Sequence, residues 1–261
     1  VKIVVLIKQV LDPGGVVVRR DKERIFVNKE AFIIPPGDKR SLEAALQIKD
    51  MLPDSEVVAL CLGPQRADDA LREALAMGAD AAVLLHDPRF DDLDLAGMAR
   101  VLAAAVSRLQ PDLVITGRAS GSDAAGQMGP RLAELLDFPQ VTDVQQITLA
   151  GSTLQAVRSW GDGYASVLTS LPTLVTIAPT SFPPRYAHGA RIMRAYQEWT
   201  VPVWDAEELD LAEALPPPLT AFKGISFAAP LLMGETVRGE PGQIAQTLAG
   251  EIKSLLAEIA R

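Results

Sequence analysis

The chain has 261 residues, 48% of them hydrophobic, and a formal net charge of −8 at pH 7. This length and composition are those of a globular protein with a full hydrophobic core. The acidic balance argues against a nucleic-acid-binding surface, which requires clustered basic side chains. No apolar run approaches the roughly 20 residues that span a bilayer, so we expect no targeting segment, no membrane insertion and a cytoplasmic location.

Cysteine and histidine are too scarce in the sequence for the usual metal sites. Cys61 is the one cysteine, which excludes an internal disulfide and a cysteine-ligated cluster. Because it ends an apolar run, Cys61 reads as a small buried hydrophobic residue. His86 and His188 are the two histidines, too few for a typical histidine-rich zinc site. We therefore predict no metal site.

Strand-like and helix-like segments alternate through the first half of the chain. The predicted strands cover residues 2–7, 56–62, 81–85 and 112–116, and the predicted helices cover residues 39–51, 67–77 and 95–109. This alternation predicts an α/β fold with a mostly parallel, doubly wound sheet and helices on both faces. The strands are nearly continuous apolar runs, as expected when both faces are buried. Between the first strand and first helix, residues 16–27 indicate a β-hairpin that turns near residues 21–23.

The pattern changes after Pro139. Three antiparallel strands are predicted at residues 142–149, 152–158 and 166–168, followed by the apolar run L-P-T-L-V-T-I-A. We expect residues 1–180 to form the α/β core with these antiparallel additions, and residues 181–261 to form a C-terminal arm and helix. The final helix, residues 243–261, carries one apolar stripe that must pack either on this chain or on another. The stripe consists of Ile244, Leu248, Ile252, Leu255, Leu256 and Ile259.

Residues 112–130, which read D-L-V-I-T-G-R-A-S-G-S-D-A-A-G-Q-M-G-P, predict a strand, a loop of small residues and the start of a helix. The first N–H groups of a helix have no partner within it, and glycines let an anion approach them closely. The segment is therefore a candidate phosphate site. The alternative is an ordinary strand-to-helix turn, because neither the Rossmann glycine fingerprint nor the Walker lysine pattern is present.

Catalytic motifs are not evident in the sequence. Ser120 and Ser122 lie in the glycine-rich loop, but no G-x-S-x-G elbow surrounds them. Asp91, Asp92 and Asp94 lack the pattern of a calcium loop and are interpreted as a solvated helix cap. We predict a binding protein without acid–base chemistry of its own.

Seven separate segments carry a family resemblance when they are taken together. They are K-I-V-V-L-I-K-Q-V-L-D at the start, L-G-P at 62–64, L-R-E-A-L-A-M-G-A-D at 71–80, D-L-V-I-T-G-R at 112–118, G-Q-M-G-P at 126–130, L-P-T-L-V-T at 171–176, and P-R-Y with I-M-R-A within 184–195. In this order they resemble the β (small) subunit of electron transfer flavoprotein. The likeness covers nearly the whole chain.

The resemblance implies an adenine-nucleotide-binding, Rossmann-like fold and a heterodimer with a larger α subunit. In that family the redox FAD is held mainly by the α subunit, while the β subunit binds AMP or, in electron-bifurcating members, a second FAD. Electrons pass from flavin dehydrogenases, such as the acyl-CoA dehydrogenases of fatty acid β-oxidation, to a membrane quinone reductase. The β subunit itself breaks no bonds, so the resemblance implies an electron carrier and not an enzyme.

The family's nucleotide contacts can be carried over by position. They fall on Leu6, Pro36, Gly37, Asp38, Leu62, Gly63, Gly117, Arg118, Ala119, Ser120, Gly121, Ser122, Asp123, Ala124, Ala125, Gly126, Gln127 and Met128. By residue type, Leu6 and Leu62 would wall the adenine, and loop N–H groups would hold phosphate, with the two serine hydroxyls as donors. Asp123 would bind a ribose hydroxyl or cap the next helix.

The resemblance also implies a surface that docks partner dehydrogenases. Its residues would be Pro184, Arg185, Tyr186, His188, Gly189, Ile192 and Met193. Gly189 stands where the family has a leucine anchor, which predicts an altered set of dehydrogenase partners. Ala124 and Ala125 replace polar loop residues of the family, so AMP, a second FAD and an empty pocket all stay open.

Two further functions compete with the electron-carrier interpretation. One is an adenine-nucleotide hydrolase or ligase of similar fold, which would need magnesium-binding acids and a phosphate-grasping motif. The other is an assembly subunit whose pocket has degenerated. Nucleotide bound to the purified protein distinguishes them.

Overall fold

The structure is a computed structural model that describes residues 1–19, 22–119, 124–213, 215, 217–221, 223, 224, 226, 227, 234 and 236–259. The chain divides into two compact units, Val1–Lys223 and Gly224–Arg261. Within the described residues, no helix is both long enough and apolar enough to cross a membrane.

Strands and helices follow the predicted order along the chain. The strands are β1 (Lys2–Ile7), β2 (Val10–Leu11), β3 (Val16–Arg19), β4 (Arg24–Val27), β5 (Phe32–Ile33), β6 (Glu56–Leu62), β7 (Ala81–Leu85), β8 (Leu113–Gly117), β9 (Gln140–Ala150), β10 (Thr153–Trp160), β11 (Gly163–Ser170), β12 (Thr173–Ile177) and β13 (Val203–Trp204). The helices are α1 (Pro36–Met51), α2 (Asp68–Met77), α3 (Leu95–Leu109), α4 (Met128–Leu136), α5 (Gly189–Gln197) and α6 (Pro241–Ile259).

In the described part of the chain, nine strands form one sheet in the order β11-β10-β9-β12-β8-β1-β6-β7-β13. From β9 to β13 all neighbours in this order are parallel. The strands β10 and β11 extend the sheet by antiparallel pairing. The prediction of a mostly parallel α/β sheet with antiparallel additions is confirmed.

Both faces of the parallel strands are buried because helices cover each of them. On one face, α1 and α2 contribute the fully buried Leu42 and Leu71. On the other face, α3 and α4 contribute the fully buried Val101 and Leu132. Residues 3–5 of β1 are therefore all inaccessible to solvent, which explains the continuous apolar runs of the sequence.

The helix α4 lies unusually close to the sheet. A Cβ atom on Gly129 would lie 2.6 Å from Cγ2 of Thr176 and 3.2 Å from Cγ2 of Thr116. Only glycine avoids this clash, because it has no side chain. Gly129 thereby fixes the start of α4, and with it the end of the glycine-rich loop, against the ends of β8 and β12.

Some boundaries differ from the prediction for identifiable reasons. The helix α1 begins at Pro36 and not at residue 39, because proline is well accommodated in the first turn of a helix. The strand β13 was not predicted at all, since it is two residues long and pairs only Val203 with Leu84 and Trp204 with Leu85. The predicted hairpin is confirmed by the antiparallel pairing of β3 with β4. Residue 21, at its predicted turn, lies outside the described residues.

Residues 181–223, the first part of the predicted arm, lie in the first compact unit. There α5 packs on α2, and Ala195 is fully buried. The second unit contains α6, none of whose residues is buried. The exposed stripe on α6 agrees with the predicted spacing of apolar residues. That the arm packs on a partner subunit stays a prediction.

Candidate functional site

The chain adds its strands to opposite sides of β1, and the strand order reverses between β1 and β8. From β1 the chain moves outward through β6 to β7, and α3 then carries it back to β8 on the other side of β1. The connections after β1 and β8 therefore diverge and leave a crevice at the carboxyl ends of these strands. Ligands of open α/β sheets bind at this kind of position.

A cavity of about 1050 Å³ fills this crevice. Ligand pockets of proteins are typically about 300–1,000 Å³, so a nucleotide has ample room here. The structure brings ten of the predicted nucleotide-site residues together around the cavity. They are Leu6, Asp38, Leu62, Gly117, Arg118, Ala119, Ala125, Gly126, Gln127 and Met128.

The remaining predicted nucleotide-site residues divide into two groups. Pro36, Gly37, Gly63 and Ala124 are described but do not line the cavity. Ser120, Gly121, Ser122 and Asp123 lie outside the described residues, so the predicted hydroxyl donors and the two roles considered for Asp123 stay predictions.

One part of the cavity wall is apolar. Leu6 at the end of β1 is only 7% exposed, and Leu62 ends the neighbouring strand β6. From the opposite layer, Met98 and Leu102 of α3 contribute further apolar surface. Such a surface suits the flat faces of a nucleobase, which lose contact with water when they bind.

The glycine-rich loop forms a more polar part of the wall. The Arg118 N–H donates to the Ile177 carbonyl over 3.1 Å, which ties the start of the loop to β12. Its guanidinium is 58% exposed and lies 3.7 Å from the Asp143 carboxylate. Gly126 has a φ of +63°, a backbone conformation that glycine adopts without strain. The first N–H groups of α4 follow directly, so this part of the cavity offers both a cation and helix-end donors to an anion.

Asp38 is the most unusual titratable residue at the cavity. Its side chain is 6% exposed, and Oδ2 accepts a hydrogen bond of 3.0 Å from the Lys8 N–H. Burial raises the pKa of Asp38 to about 6, although the Lys8 charge and N–H oppose this shift. Burial, followed by the Asp38 charge, also raises the pKa of the Cys61 thiol to about 12. Cys61 is fully buried, which confirms its interpretation as a small core residue.

Sequence reasoning missed an acidic wall of the cavity, formed by Asp91, Asp92 and Asp94. The predicted helix cap is confirmed for Asp94, whose Oδ1 accepts from the N–H groups of Ala96 and Gly97. Its Oδ2 also accepts from Leu219 N over 2.9 Å and from Thr220 N over 3.3 Å, which holds residues 218–221 beside the cavity. A contact across 125 residues leaves no local signal in the sequence.

Sequence reasoning also missed Lys8, which lines the cavity directly after β1. A charged residue at the carboxyl end of a buried parallel strand is a signal that could have found it, because these ends converge on the ligand crevice.

The predicted docking residues lie around the start of α5. Arg185 anchors this region, because Nε donates to Glu43 Oε2 over 2.8 Å and Nη2 donates to Asp50 Oδ2 over 2.6 Å. His188 caps α5 by accepting a hydrogen bond from the Ala190 N–H. The exposed members are Tyr186, His188, Gly189, Ile192 at 43% and Met193 at 61%, whereas Pro184 is partly buried. They present an apolar surface on a fixed support.

Comparison with known proteins agrees with this arrangement. The chain matches the model of the electron transfer flavoprotein domain over residues 24–209. It is 38% identical to the electron transfer flavoprotein subunit beta of Clostridium acetobutylicum over 212 residues, which is 81% of each chain. The corresponding subunit of Thermoanaerobacterium thermosaccharolyticum is 37% identical over 80% of each chain. The caffeyl-CoA reductase-Etf complex subunit CarD of Acetobacterium woodii is 33% identical over 95% of this chain and 97% of its own.

Proposed function

The chain belongs to the electron transfer flavoprotein β-subunit family, and from this premise we propose that it is the β subunit of a heterodimeric electron transfer flavoprotein. In this role it binds a structural AMP and supports an α subunit that holds the redox FAD. The heterodimer accepts electrons from flavin-dependent dehydrogenases and passes them to a quinone reductase or another acceptor. The β subunit contributes binding and support and breaks no bonds itself.

The cavity at the carboxyl ends of β1 and β8 is the main support for this proposal. An apolar wall at Leu6 and Leu62 fits an adenine base. The exposed guanidinium of Arg118, the turn at Gly126 and the start of α4 fit a phosphate. These groups meet the requirements of a nucleoside monophosphate with one apolar and one anionic end.

The exposed stripe on α6 supports the proposed heterodimer. Leu248, Ile252, Leu255, Leu256 and Ile259 are between 46% and 81% exposed along this one helix. Large contiguous apolar surfaces on proteins commonly mark interfaces. We assign the stripe to contact with the α subunit.

A second candidate function is an electron-bifurcating complex with a second FAD in place of AMP. The cavity volume of about 1050 Å³ leaves room for a dinucleotide. The relative in Acetobacterium woodii is a subunit of a caffeyl-CoA reductase-Etf complex. We favour AMP, because the acidic residues Asp91, Asp92 and Asp94 on the cavity wall oppose additional phosphate groups.

The experiment that tests the proposal is cofactor analysis of the intact complex. The chain is coexpressed and copurified with a candidate α subunit, the complex is denatured, and released FAD and AMP are quantified against protein. One FAD and one AMP per heterodimer are expected. Two FAD would establish the bifurcating alternative, and FAD without AMP would indicate a degenerate pocket. A chain that binds neither an α subunit nor flavin would contradict the proposal, and ATP turnover by it would favour a hydrolase or ligase.

A further inference from the structure

A buried carboxylate with one oxygen available to the cavity is an uncommon feature. Asp38 Oδ2 is bound by the Lys8 N–H, whereas Oδ1 has no hydrogen-bond partner among the described residues. Asp38 lies on the cavity wall although its side chain is almost completely buried. An ionisable group that is removed from water needs a compensating partner. The available oxygen therefore points to a hydrogen-bond donor on the ligand.

Gly117 contributes to the accessibility of this oxygen. A Cβ atom on Gly117 would lie 3.1 Å from Asp38 Oδ1 and would crowd the carboxylate. Because the glycine ends β8, its lack of a side chain keeps space beside Oδ1 at the mouth of the crevice. The carboxylate and the glycine thus come from two elements, α1 and β8, that flank the same opening.

Asp38 is an unfavourable contact for phosphate, since both groups are anionic. The same cavity is also lined by the apolar Leu6, which suits the face of a base. A purine base can present either a donor or an acceptor at its 6-position: adenine has an amino group, and hypoxanthine has a carbonyl. A carboxylate accepts hydrogen bonds and donates none while it is ionised.

We propose that Asp38 is the base-recognition residue of the cavity: Oδ1 accepts a hydrogen bond from the 6-amino group of adenine and selects adenine over 6-oxopurine nucleotides. This inference rests on the proposed function, because it takes the cavity to hold an adenine nucleotide. It names the residue that determines which base is accepted.

A purely structural role for Asp38 predicts different behaviour. As a residue of the first turn of α1, the carboxylate ties this turn to β1 through Lys8 and favours the positive end of the helix. In that role the carboxyl group holds the first turn of α1 in place but does not distinguish one base from another. Base preference is therefore the measurement that separates the two roles.

The Asp38→Asn variant makes an unusually sharp test. The amide oxygen must take the place of Oδ2, because only an acceptor can bind the Lys8 N–H. The amide NH₂ then takes the place of Oδ1 and offers a donor to the ligand. The substitution thus replaces an acceptor of the 6-amino group by a donor to a 6-carbonyl group, and the preferred nucleotide should change from AMP to IMP.

The preference should also depend on pH in the native protein. Because the pKa of Asp38 is about 6, the acceptor is mostly ionised at pH 7.5 and mostly protonated at pH 5. Affinity for AMP should fall about tenfold between these pH values, since about one-tenth of the carboxyl groups stay ionised one unit below the pKa. Affinity for IMP should rise, because the protonated carboxyl can donate. The titratable groups that interact electrostatically with Asp38 are Lys8 after β1 and Cys61 of β6, whereas Arg118 and the acidic residues before α3 line the same cavity.

The experiment uses the nucleotide-depleted heterodimer and measures AMP and IMP binding by calorimetry from pH 5 to pH 8. We expect the native complex to prefer AMP at least tenfold at pH 7.5, and Asp38→Asn to prefer IMP at all pH values. Asp54→Asn is the control, because it makes the same chemical change at an exposed position away from the cavity.

Equal binding of AMP and IMP by the native complex, or a preference that Asp38→Asn leaves unchanged, would overturn the inference while the proposed function stood. If removal of the ribose 2′- or 3′-hydroxyl from AMP abolishes binding while IMP still binds, the contact of Asp38 is to the ribose. That result would also overturn the inference. If the variant does not assemble, the native AMP-to-IMP ratio and its pH dependence still decide. No binding of any adenine nucleotide would contradict the proposed function itself.

Discussion

Gly129 shows how a single missing side chain sets the position of the candidate anion site. We predict that Gly129→Ala lowers the free energy of unfolding by about 1–3 kcal/mol, because the new methyl group would lie 2.6 Å from Thr176 and must push α4 off the sheet. Thermal unfolding of the heterodimer measures the effect. Gly37→Ala in α1 is the control, since a Cβ atom there meets nothing within 4 Å. Equal stability of the two variants would mean that α4 is not held by this contact.

Asparagine in place of the buried Asp38 should affect the stability of the protein differently from asparagine in place of the buried Asp87. The pKa of Asp38 is raised to about 6 by burial, so its ionisation weakens the fold as pH rises from about 4 to 6. We predict that Asp38→Asn leaves stability at pH 7.5 unchanged or raises it by up to about 3 kcal/mol, the equivalent of two pKa units. Such a gain would mark a residue that is retained for binding and not for stability.

Asp87 is the opposite case. Two hydrogen bonds from the Arg89 side chain, at 2.8 and 2.6 Å, and one from Ala206 N hold its pKa well below the usual range. A lowered carboxylate pKa adds stability above the unfolded pKa near 4, and that stability is lost as pH falls further. Asp87→Asn should therefore destabilise the protein at pH 7.5 and reduce its sensitivity to acid. Chemical denaturation from pH 3 to pH 8 compares the two variants. If both substitutions destabilise the protein, the predicted difference between Asp38 and Asp87 is wrong.

The proposed docking residues around the start of α5 lack a large apolar side chain at position 189. Gly189 has open space where a side chain would project, while Tyr186 and Met193 nearby are exposed. We predict that Gly189→Leu tightens binding to a medium-chain acyl-CoA dehydrogenase about tenfold, because buried apolar anchors dominate interface energy. Surface plasmon resonance measures the affinity. Gly189→Ser is the control for backbone effects, and tight native binding that depends on Gly189 would contradict the altered partner set.

The sequence patterns were reliable for elements that repeat one signal over many residues. The strands β1, β6 and β7 and the helix α3 have their predicted bounds, since long apolar runs and a helical stripe reflect burial directly. The strand β13 could not be predicted, because two residues are too few to show a periodic pattern of apolar residues. The wall formed by Asp94 and residues 218–221 depends on contacts between distant segments. Asp38 and Gly117 were predicted for the site through the family resemblance, whereas the available carboxylate oxygen is a property of packing alone.

At the scale of the molecule, the second compact unit carries an exposed apolar stripe on its described helix. The helix α6 is nineteen residues long, and none of its residues is buried. Burying its stripe is worth on the order of 25 cal/mol per Å² of apolar surface, so the partner that covers it should contribute substantially to stability. The α subunit is the proposed partner, and the stripe is the place to test it.

We predict that Ile252→Glu together with Leu255→Glu abolishes copurification with the α subunit and leaves the first compact unit folded. The two side chains are each 55% exposed, so charge is tolerated in the isolated chain but would be desolvated in an interface. Ser254→Glu is the matched control, because it lies about 200° around the helix from Ile252 and should preserve the complex. Affinity copurification measures assembly, and circular dichroism measures the fold. If the double variant still assembles, the assignment of the stripe to the subunit contact is wrong.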